Sequence, residues 1–295
     1  MTFYQVMDDL LLNPATREAI NQVIIKKPHA ILLSGPDGSG KTYTAERLAE
    51  ELMQINSKSI SDYPYFFRLQ PTGESIGIDA IRELHGFLQL RTTGKTDALR
   101  RIAIVENAHL MTIEAQNSLL KILEEPPSDT VILLTAQPTQ TILGTVYSRV
   151  QHINIKPPGL TESVAYFETL ASKSSIEKAY ALSNGSTAVL YSLLQNDSVN
   201  PLLSSIENAK ALLRLSPYER LTQIDAYLKD KTLLVSLIQA IKQIAKSGLK
   251  QASISNNQRL IKQWHKILKS ANDAEQLNSR NVNAKLLVTN LMLNM

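Results

Sequence analysis

The amino-acid sequence predicts a P-loop α/β domain followed by helices only, and two observations support this fold class. Up to about residue 155, short apolar runs alternate with helical patterns, which is typical of a parallel sheet with helices on its faces. A complete phosphate-loop motif follows the first of these runs. From this pattern we expect a nucleotide-binding core at 1–157, a small helical domain at 158–198 and a larger helical domain at 199–295.

The core is predicted to contain five strands and four helices. The strands are buried apolar runs, expected at 30–33, 65–69, 101–105, 131–135 and 150–155. The helices carry apolar residues at three- and four-residue spacing and are expected at 14–25, 41–53, 78–90 and 113–125. Asn13 supplies an N-cap and Pro14 the first helical position, whereas Pro126 and Pro127 cannot continue the fourth helix.

The rest of the chain shows helix start and stop signals. Residues 156–159, Lys-Pro-Pro-Gly, are expected to form a hinge. The pattern Ser-x-x-Glu predicts capping boxes at 174–177 and 216–219, and Asn-Gly at 184–185 ends the first of these helices. Long amphipathic helices are expected at 231–246, 257–277 and 281–293.

The composition excludes several classes of protein. The chain has no cysteine, so it holds neither a disulfide nor a thiolate zinc site. Residues 1–13 lack the basic start of a signal peptide, and no apolar run approaches the roughly 20 residues that cross a bilayer. We therefore expect a soluble, cytoplasmic protein with no membrane partner. Residues 201–295 contain 14 Lys and Arg against 6 Asp and Glu, which is typical of exposed helix faces and also suits DNA or acidic partners.

The phosphate-loop motif G-x-x-x-x-G-K-S/T is complete. Its residues are Gly35, Pro36, Asp37, Gly38, Ser39, Gly40, Lys41 and Thr42. The glycines allow backbone N–H groups to bind phosphate oxygens, and the helix that begins near Lys41 directs its positive end toward them. Lys41 adds a charge at the β- and γ-phosphates, and the Thr42 hydroxyl is placed to hold Mg²⁺. The motif predicts binding of ATP or ADP with Mg²⁺, and it does not by itself predict hydrolysis.

The residues after the strand at 101–105 occupy the position of the hydrolysis machinery. Glu106 replaces the aspartate that commonly holds Mg²⁺, and Asn107 replaces the glutamate that commonly activates water. Because the Asn107 amide cannot accept a proton, we expect no catalytic residue in cis and weak or absent hydrolysis. His109 is interpreted as a helix-start or surface histidine. No ligand cluster predicts zinc or any metal apart from nucleotide-bound Mg²⁺.

Four segments resemble signatures of the bacterial DNA polymerase III clamp-loader AAA+ family. Residues 115–127, AQNSLLKILEEPP, resemble the signature A-x-N-A-L-L-K-x-L-E-E-P-P. Residues 75–84, SIGIDAIREL, resemble S-I-x-I-D-x-I-R-E-L. Residues 148–150 are similar to the Ser-Arg-Cys motif of this family, with valine in place of cysteine. Residues 281–287 resemble the last helix of the delta-prime branch.

The resemblance implies an AAA+ core, a helical lid at 158–198 and a helical collar at 199–295 through which five subunits join. It also implies that Arg149, with Ser148, acts in trans on ATP bound by a neighbouring subunit. The implied partners are gamma/tau and delta subunits in a hetero-pentamer and, through that complex, the sliding clamp and primer-template DNA. Contact with DNA is expected through phosphates and without readout of bases; the sequence assigns no individual DNA-contacting residue, and Lys95, Arg100 and Arg101 are expected only to be surface charges.

Three departures from the family pattern narrow the role of the chain. The four zinc-binding cysteines of many members are absent, the Walker B pair is replaced by Glu106 and Asn107, and the lid pattern Gly-Ser-x-Arg is Gly-Ser-Thr-Ala at 185–188. The last two departures indicate the same role: a chain that keeps Arg149 but lacks the Walker B pair and the lid arginine resembles the delta-prime stator. One alternative is a gamma/tau-type motor subunit that hydrolyses ATP with Glu106. Another is an ATP-switched signalling or stress AAA+ protein that shares only the core.

Overall fold

The computed structural model describes residues 9–54, 60–90, 99–138, 141–194, 201–279 and 283–295. The chain divides into two compact units, Met1–Glu162 and Ser163–Met295. The lid and collar expected from the sequence fall almost entirely in the second unit, and their separation from each other stays a prediction. Within the described ranges, no helix combines the length and apolarity that crossing a membrane requires.

The first unit is built on five parallel strands, which confirms the predicted α/β core. The strands are β1 (Ala30–Ser34), β2 (Phe66–Leu69), β3 (Arg101–Val105), β4 (Thr130–Ala136) and β5 (Gln151–Asn154). They lie in the order β2-β3-β4-β1-β5, and every neighbouring pair is parallel. The helices of this part are α1 (Pro14–Lys26), α2 (Lys41–Met53), α3 (Ile78–Leu88), α4 (Ile113–Glu124) and α5 (Gly144–Tyr147), and α6 (Leu160–Phe167) begins the helical part of the chain.

The core of the first unit lies on both faces of the sheet. β1, β3 and β4 are buried at every residue, as expected of parallel strands with helices on each side. Successive residues face opposite sides: Leu32 packs with residues of α3 and α4, whereas Leu33 packs with residues of α1 and α2. Burial of one such side chain stabilises the fold by about 2 kcal/mol, so these strands form a stable base for the residues that follow them.

The helix ends of the first unit follow local signals in the sequence. The Asn13 side chain accepts a hydrogen bond from the Ala15 amide at 3.0 Å, and Pro14 occupies the first position of α1, as predicted. The helix α4 begins after Thr112, whose hydroxyl accepts from the Ala115 amide at 3.2 Å. It ends at Glu124, two residues before Pro126.

The second unit is helical throughout its described residues. Its further helices are α7 (Lys173–Ser183), α8 (Thr187–Leu194), α9 (Pro201–Arg214), α10 (Pro217–Thr222), α11 (Ile224–Lys229), α12 (Lys231–Ile254), α13 (Gln258–Ser279) and α14 (Ala284–Asn294). The long helices predicted at 231–246 and 257–277 correspond to α12 and α13, and α12 runs eight residues further than expected. The first residues of the helix predicted at 281–293 lie outside the described residues.

One of the two predicted capping boxes is confirmed, and the other is wrong. Ser216 and Glu219 exchange the two expected hydrogen bonds at the start of α10. Ser172, and not Ser174, caps α7, and its hydroxyl accepts from the Ser175 amide at 3.3 Å. The helix therefore begins two residues earlier, which places Ser174 inside its first turn. Asn184 ends α7 in the left-handed conformation, with φ of 50°, as predicted.

The packing of α12 against α13 depends on a glycine. A Cβ atom at Gly248 of α12 would lie 2.4 Å from Cε2 of Trp264 on α13, so the indole ring fills the place of a side chain. Gln243 of α12 also donates to the Leu182 carbonyl at 2.6 Å, and Asn184 donates to the Gln243 carbonyl at 3.0 Å. These bonds join α7 to α12 within the second unit.

The expectation that Arg101 is a surface charge is wrong. Its side chain is 9% exposed and forms an ion pair with Asp129, which is 11% exposed. The Arg101 Nε donates to Asp129 Oδ1 at 3.0 Å, and Nη1 donates to the Leu88 carbonyl. The sequence conceals this pair because pairing of β3 with β4 brings together residues 28 positions apart. Arg100 is half-buried, and Lys95 lies outside the described residues.

Candidate nucleotide site and surface arginine

The parallel strands bring the phosphate loop and the Walker B residues to one edge of the sheet, whereas Ser148 and Arg149 precede β5 and do not belong to that edge. All five strands point the same way, so their carboxyl ends meet at that edge, where open α/β sheets bind ligands. Gly35 follows β1, Glu106 follows β3 and Gln137 follows β4. Because β4 lies between β3 and β1, Gln137 is the middle residue of the three.

The phosphate loop adopts backbone conformations that require glycine. Gly38 and Gly40 have φ angles of 71° and 81°, which lie in the left-handed region that other residues rarely adopt. A Cβ atom at Gly35 would lie 2.9 Å from both the Ile155 carbonyl and the Ser39 hydroxyl. The loop is therefore closed tightly against the end of the sheet, and its glycines cannot be replaced without movement.

Lys41, the first residue of α2, is turned into this loop. Its side chain donates to the carbonyls of Gly35 at 2.9 Å and Pro36 at 2.7 Å, and the residue is 7% exposed. Burial lowers the pKa of the Lys41 ammonium, and the nearby carboxylate of Asp37 partly opposes that change. The lysine is thus fixed at the N-terminus of α2, where the helix dipole and the ammonium act on the same space.

The residues of the loop fit a phosphate group. The Ser39 hydroxyl is buried, and it has no hydrogen-bond partner among the described residues. A buried polar atom of this kind is costly unless a ligand or water satisfies it. Together with the left-handed glycines and Lys41, this atom marks a donor-rich cradle for an anion, and Thr42 is half-buried beside it.

The side chain of Glu106 is directed toward β2 and not toward the phosphate loop. Its Oε1 atom accepts a hydrogen bond from the side-chain amide of Gln70 at 3.0 Å and lies 3.5 Å from Nε of Arg68. Arg68 also pairs with Glu46, and the Glu106 side chain is only 13% exposed. Since β2 lies on the opposite side of β3 from β4 and β1, these contacts hold the carboxylate away from the strand that carries the loop.

Asn107 adds no base at this edge. Its backbone is left-handed, with φ of 52°, and its backbone N–H donates to the Thr135 hydroxyl at 3.1 Å. A carboxamide side chain cannot take a proton from water at neutral pH. The two Walker B positions therefore hold one restrained carboxylate and one neutral amide.

Sequence reasoning missed Gln137 and the position of His109. The Gln137 side-chain amide donates to both carboxylate oxygens of Asp37, each at 2.8 Å. Its backbone amide donates to Nδ1 of His109 at 3.3 Å. Burial lowers the pKa of His109, Lys41 lowers it further and Asp37 raises it. His109 thus lies next to the phosphate loop. The sequence feature that could have identified Gln137 is its position directly after a fully buried strand.

Arg149 lies at the surface of the first unit, two residues after α5. Its Nη2 is 2.7 Å from Glu124 Oε1, and the two side chains are 37% and 50% exposed. Its Nη1 donates to the Thr145 carbonyl at 3.0 Å and lies 3.4 Å from the hydroxyl of Ser148, which is itself exposed. The guanidinium is therefore partly exposed and is held by contacts with its own unit.

A line of hydrogen bonds connects the base of the phosphate loop with the segment that carries Arg149. The Ser34 hydroxyl lies 2.6 Å from Nε2 of His152, and the Tyr147 hydroxyl lies 2.9 Å from Nδ1 of the same ring. The Tyr147 and His152 rings are also in contact, with centroids 4.9 Å apart. Burial lowers the pKa of His152, so the ring is neutral at pH 7.

The described residues show no further metal chemistry. Among them, no group of three or more His, Cys, Asp or Glu side chains is placed to hold a metal ion. The prediction of Thr42 as a Mg²⁺ ligand depends on nucleotide and stays a prediction.

The chain is similar to subunits of DNA polymerase III. A family model described as DNA polymerase III, delta subunit, matches residues 16–159. The DNA polymerase III subunit delta' of Pseudomonas aeruginosa is 30% identical over 206 residues, which cover 63% of this chain and 62% of that protein. The delta' subunit of Bacillus subtilis is 33% identical over 142 residues, or 44% of this chain and 42% of that protein. The matched regions thus span less than two thirds of the length of these relatives.

A solved structure supports the fold over nearly the whole chain. A DNA polymerase III gamma subunit-related protein from Thermotoga maritima superposes with a TM-score of 0.53 at 23% identity. The superposition covers 93% of this chain and 96% of that protein. It supports both the α/β core and the helical part that follows.

Proposed function

Because the chain belongs, through residues 16–159, to the DNA polymerase III delta-prime family of clamp-loader subunits, we propose that it is a stator subunit of the replicative clamp loader. In this role the chain binds nucleotide without efficient hydrolysis and lends Arg149 to the ATP site of a neighbouring subunit. The observation that carries the proposal is an asymmetry of charge. The Arg149 guanidinium is accessible at the surface, whereas the Glu106 carboxylate is held on the β2 side of the sheet.

The chain's own loop is proposed to hold ATP or ADP. Backbone amides of the loop and the Lys41 ammonium would bind the phosphates, and the Thr42 hydroxyl would hold Mg²⁺. Mg²⁺ held there with the nucleotide would neutralise part of the phosphate charge. Asn107 offers no proton acceptor, and Glu106 is already bound to Arg68 and Gln70, so neither Walker B position would supply a general base.

The arginine is proposed to act across a subunit boundary. A guanidinium placed at a γ-phosphate stabilises charge that develops during phosphoryl transfer, so hydrolysis would depend on correct assembly. The proposed partners are gamma/tau and delta subunits in a hetero-pentamer, with the sliding clamp and primer-template DNA bound through the complex. The protein would act in the bacterial cytoplasm, where replication takes place.

Substitution of Arg149 in the reconstituted complex tests this proposal. With Arg149→Ala, ATP turnover at the neighbouring site that this chain completes is expected to fall about a thousandfold, the lower end of the effect of arginine fingers. Arg149→Lys is expected not to restore it, because a lysine cannot reproduce the planar fork. The nucleotide affinity of the isolated chain should stay unchanged. Arg82→Ala is the matched control, because Arg82 is 68% exposed on α3.

Two results would overturn the proposal. The first is unchanged turnover in the complex that contains Arg149→Ala. The second is rapid ATP hydrolysis by the isolated chain, abolished by Lys41→Ala, which would favour the gamma/tau-type motor. That alternative is supported by the tau subunit of Bacillus subtilis, which is 29% identical over 159 residues, 48% of this chain and 27% of that protein. Failure to copurify with clamp-loader subunits would instead favour a signalling or stress AAA+ protein.

A further inference from the structure

The phosphate loop contains a carboxylate that is bound to the neighbouring strand. Asp37, the third residue of the loop, accepts from the Gln137 side-chain amide through both of its oxygens, each at 2.8 Å. The two residues are 100 positions apart in sequence and meet because β1 pairs with β4. The Gly35 amide also donates to the Ala136 carbonyl at 3.1 Å, so the start of the loop is anchored to the same strand end.

The Asp37 carboxylate lies within electrostatic range of the groups that would face a phosphate. Its charge raises the pKa of both Lys41 and His109, although burial makes the net change downward for each. Lys41 already donates to the carbonyls of Gly35 and Pro36. A phosphate that enters the loop therefore meets an ammonium whose charge is partly balanced by Asp37.

Gln137 is itself fixed, which makes the bridge a defined feature of the site. Its backbone amide donates to Nδ1 of His109 at 3.3 Å. That bond requires an unprotonated Nδ1, which agrees with the lowered pKa of His109. With the backbone of Gln137 fixed, its side chain holds Asp37 over the loop although Asp37 is exposed to solvent.

We propose that the Asp37–Gln137 bridge is a specificity device that makes this loop bind a nucleoside diphosphate more tightly than the triphosphate. The proposal rests on the nucleotide site of the proposed function. The lysine of such a loop serves the β- and γ-phosphates, so a carboxylate beside it repels the ligand with more negative charge there. The γ-phosphate of a nucleoside triphosphate adds negative charge beside Lys41, and the Asp37 carboxylate repels that charge. Nucleotide in this subunit then acts as a stable structural ligand and not as a substrate for hydrolysis.

The test measures binding of fluorescent ADP and ATP analogues to the isolated full chain, with Mg²⁺ and at low salt. Wild type is expected to prefer the diphosphate. Asp37→Asn keeps the shape and removes the charge, and it should raise triphosphate affinity about tenfold and diphosphate affinity about threefold or less. Gln137→Ala frees Asp37 to turn into solvent and should raise triphosphate affinity by a smaller factor. In the double variant, the gain should not exceed that of Asp37→Asn alone.

Matched variants make each outcome decisive. Asp273→Asn removes the same charge from an exposed position on α13 and should change neither affinity. Lys41→Ala should abolish binding of both nucleotides, which confirms that the analogues occupy the loop. Far-UV circular dichroism of every variant checks that the fold is intact.

Three results would overturn the proposal. An equal gain for both nucleotides in Asp37→Asn would show that Asp37 does not discriminate between them. Loss of triphosphate affinity in Gln137→Ala would show that Gln137 is a phosphate ligand and not a holder of Asp37. If the wild-type chain bound neither nucleotide, the loop would not be a nucleotide site. Because no partner subunit is present, these results are separate from the effect of Arg149 in the complex.

Discussion

Replacement of Glu124 by glutamine is expected to release Arg149 and to raise ATP turnover in the assembled clamp loader. Arg149 Nη2 lies 2.7 Å from Glu124 Oε1, so the guanidinium must leave this carboxylate before it reaches a neighbour's phosphate. Glutamine keeps the length of the side chain and removes the charge that holds the arginine. The variant therefore isolates the tether from the arginine itself.

The exposure of the two side chains sets the size of the effect. They are 37% and 50% exposed, and an ion pair in such a position contributes at most about 1 kcal/mol. That free energy corresponds to a factor of about five in an equilibrium. The bond from Arg149 to the Thr145 carbonyl, at 3.0 Å, remains in the variant. Because that contact still restrains the arginine, we expect turnover to rise about two- to fivefold.

Steady-state ATP turnover of reconstituted complexes, with clamp and primer-template DNA present, measures this effect. Glu125→Gln is the control, because Glu125 is the adjacent exposed carboxylate. Urea unfolding of the isolated Glu124→Gln chain should show a change of less than about 1 kcal/mol. Lower turnover with Glu124→Gln would refute the reasoning, because Glu124 would then position the arginine. An equal rise with Glu125→Gln would assign the effect to net charge.

Two further predictions concern stability. Asp129→Asn is expected to lower the free energy of unfolding by about 3 kcal/mol or more, because it leaves the buried Arg101 guanidinium without its counter-ion. Urea unfolding followed by circular dichroism measures this, and a change as small as that of Asp79→Asn, whose side chain is 84% exposed, would contradict it. The second prediction concerns pH. Burial lowers the pKa values of His109 and His152 in the folded chain, so as the pH falls the unfolded chain binds protons at a higher pH than the folded chain does. The free energy of unfolding is therefore highest above about pH 6.5 and decreases as the pH falls below it. His152→Gln should flatten that loss between pH 7 and 5, and an unchanged slope would show that His152 does not contribute.

Much of the fold is predictable because the signals that define its elements are local. Asn13 caps α1 through its own side chain, and Pro126 excludes helix whatever surrounds it. Local patterns also have limits. Ser172 and Ser174 both precede suitable helical residues, and the choice between them depends on where the preceding chain turns. The cap at Ser172 therefore could not be distinguished from the sequence pattern alone.

The long-range contacts of the site could not be predicted, because they depend on the order of the strands. The burial of Arg101 requires Asp129, 28 positions away, and the bridge from Asp37 requires Gln137, 100 positions away. Arginine and aspartate are usually exposed, so the sequence gives no reason to expect that Arg101 is buried or that either contact forms. Once β4 is known to lie between β3 and β1, both contacts have a simple geometric origin.

The same strand order supports the proposed combination of nucleotide binding with weak hydrolysis. Between β1 and β3 lies β4, and the residue that follows it is Gln137, a neutral carboxamide that is bound to Asp37. The carboxylate of Glu106 lies one strand further away and is held on the side of β2 by Arg68. The residues that follow β4 and β3 thus include the neutral amides of Gln137 and Asn107, and neither amide accepts a proton from water at neutral pH. We therefore expect the side chains that follow the strands to decide whether hydrolysis occurs, whereas the glycine backbone and Lys41 decide whether phosphate binds.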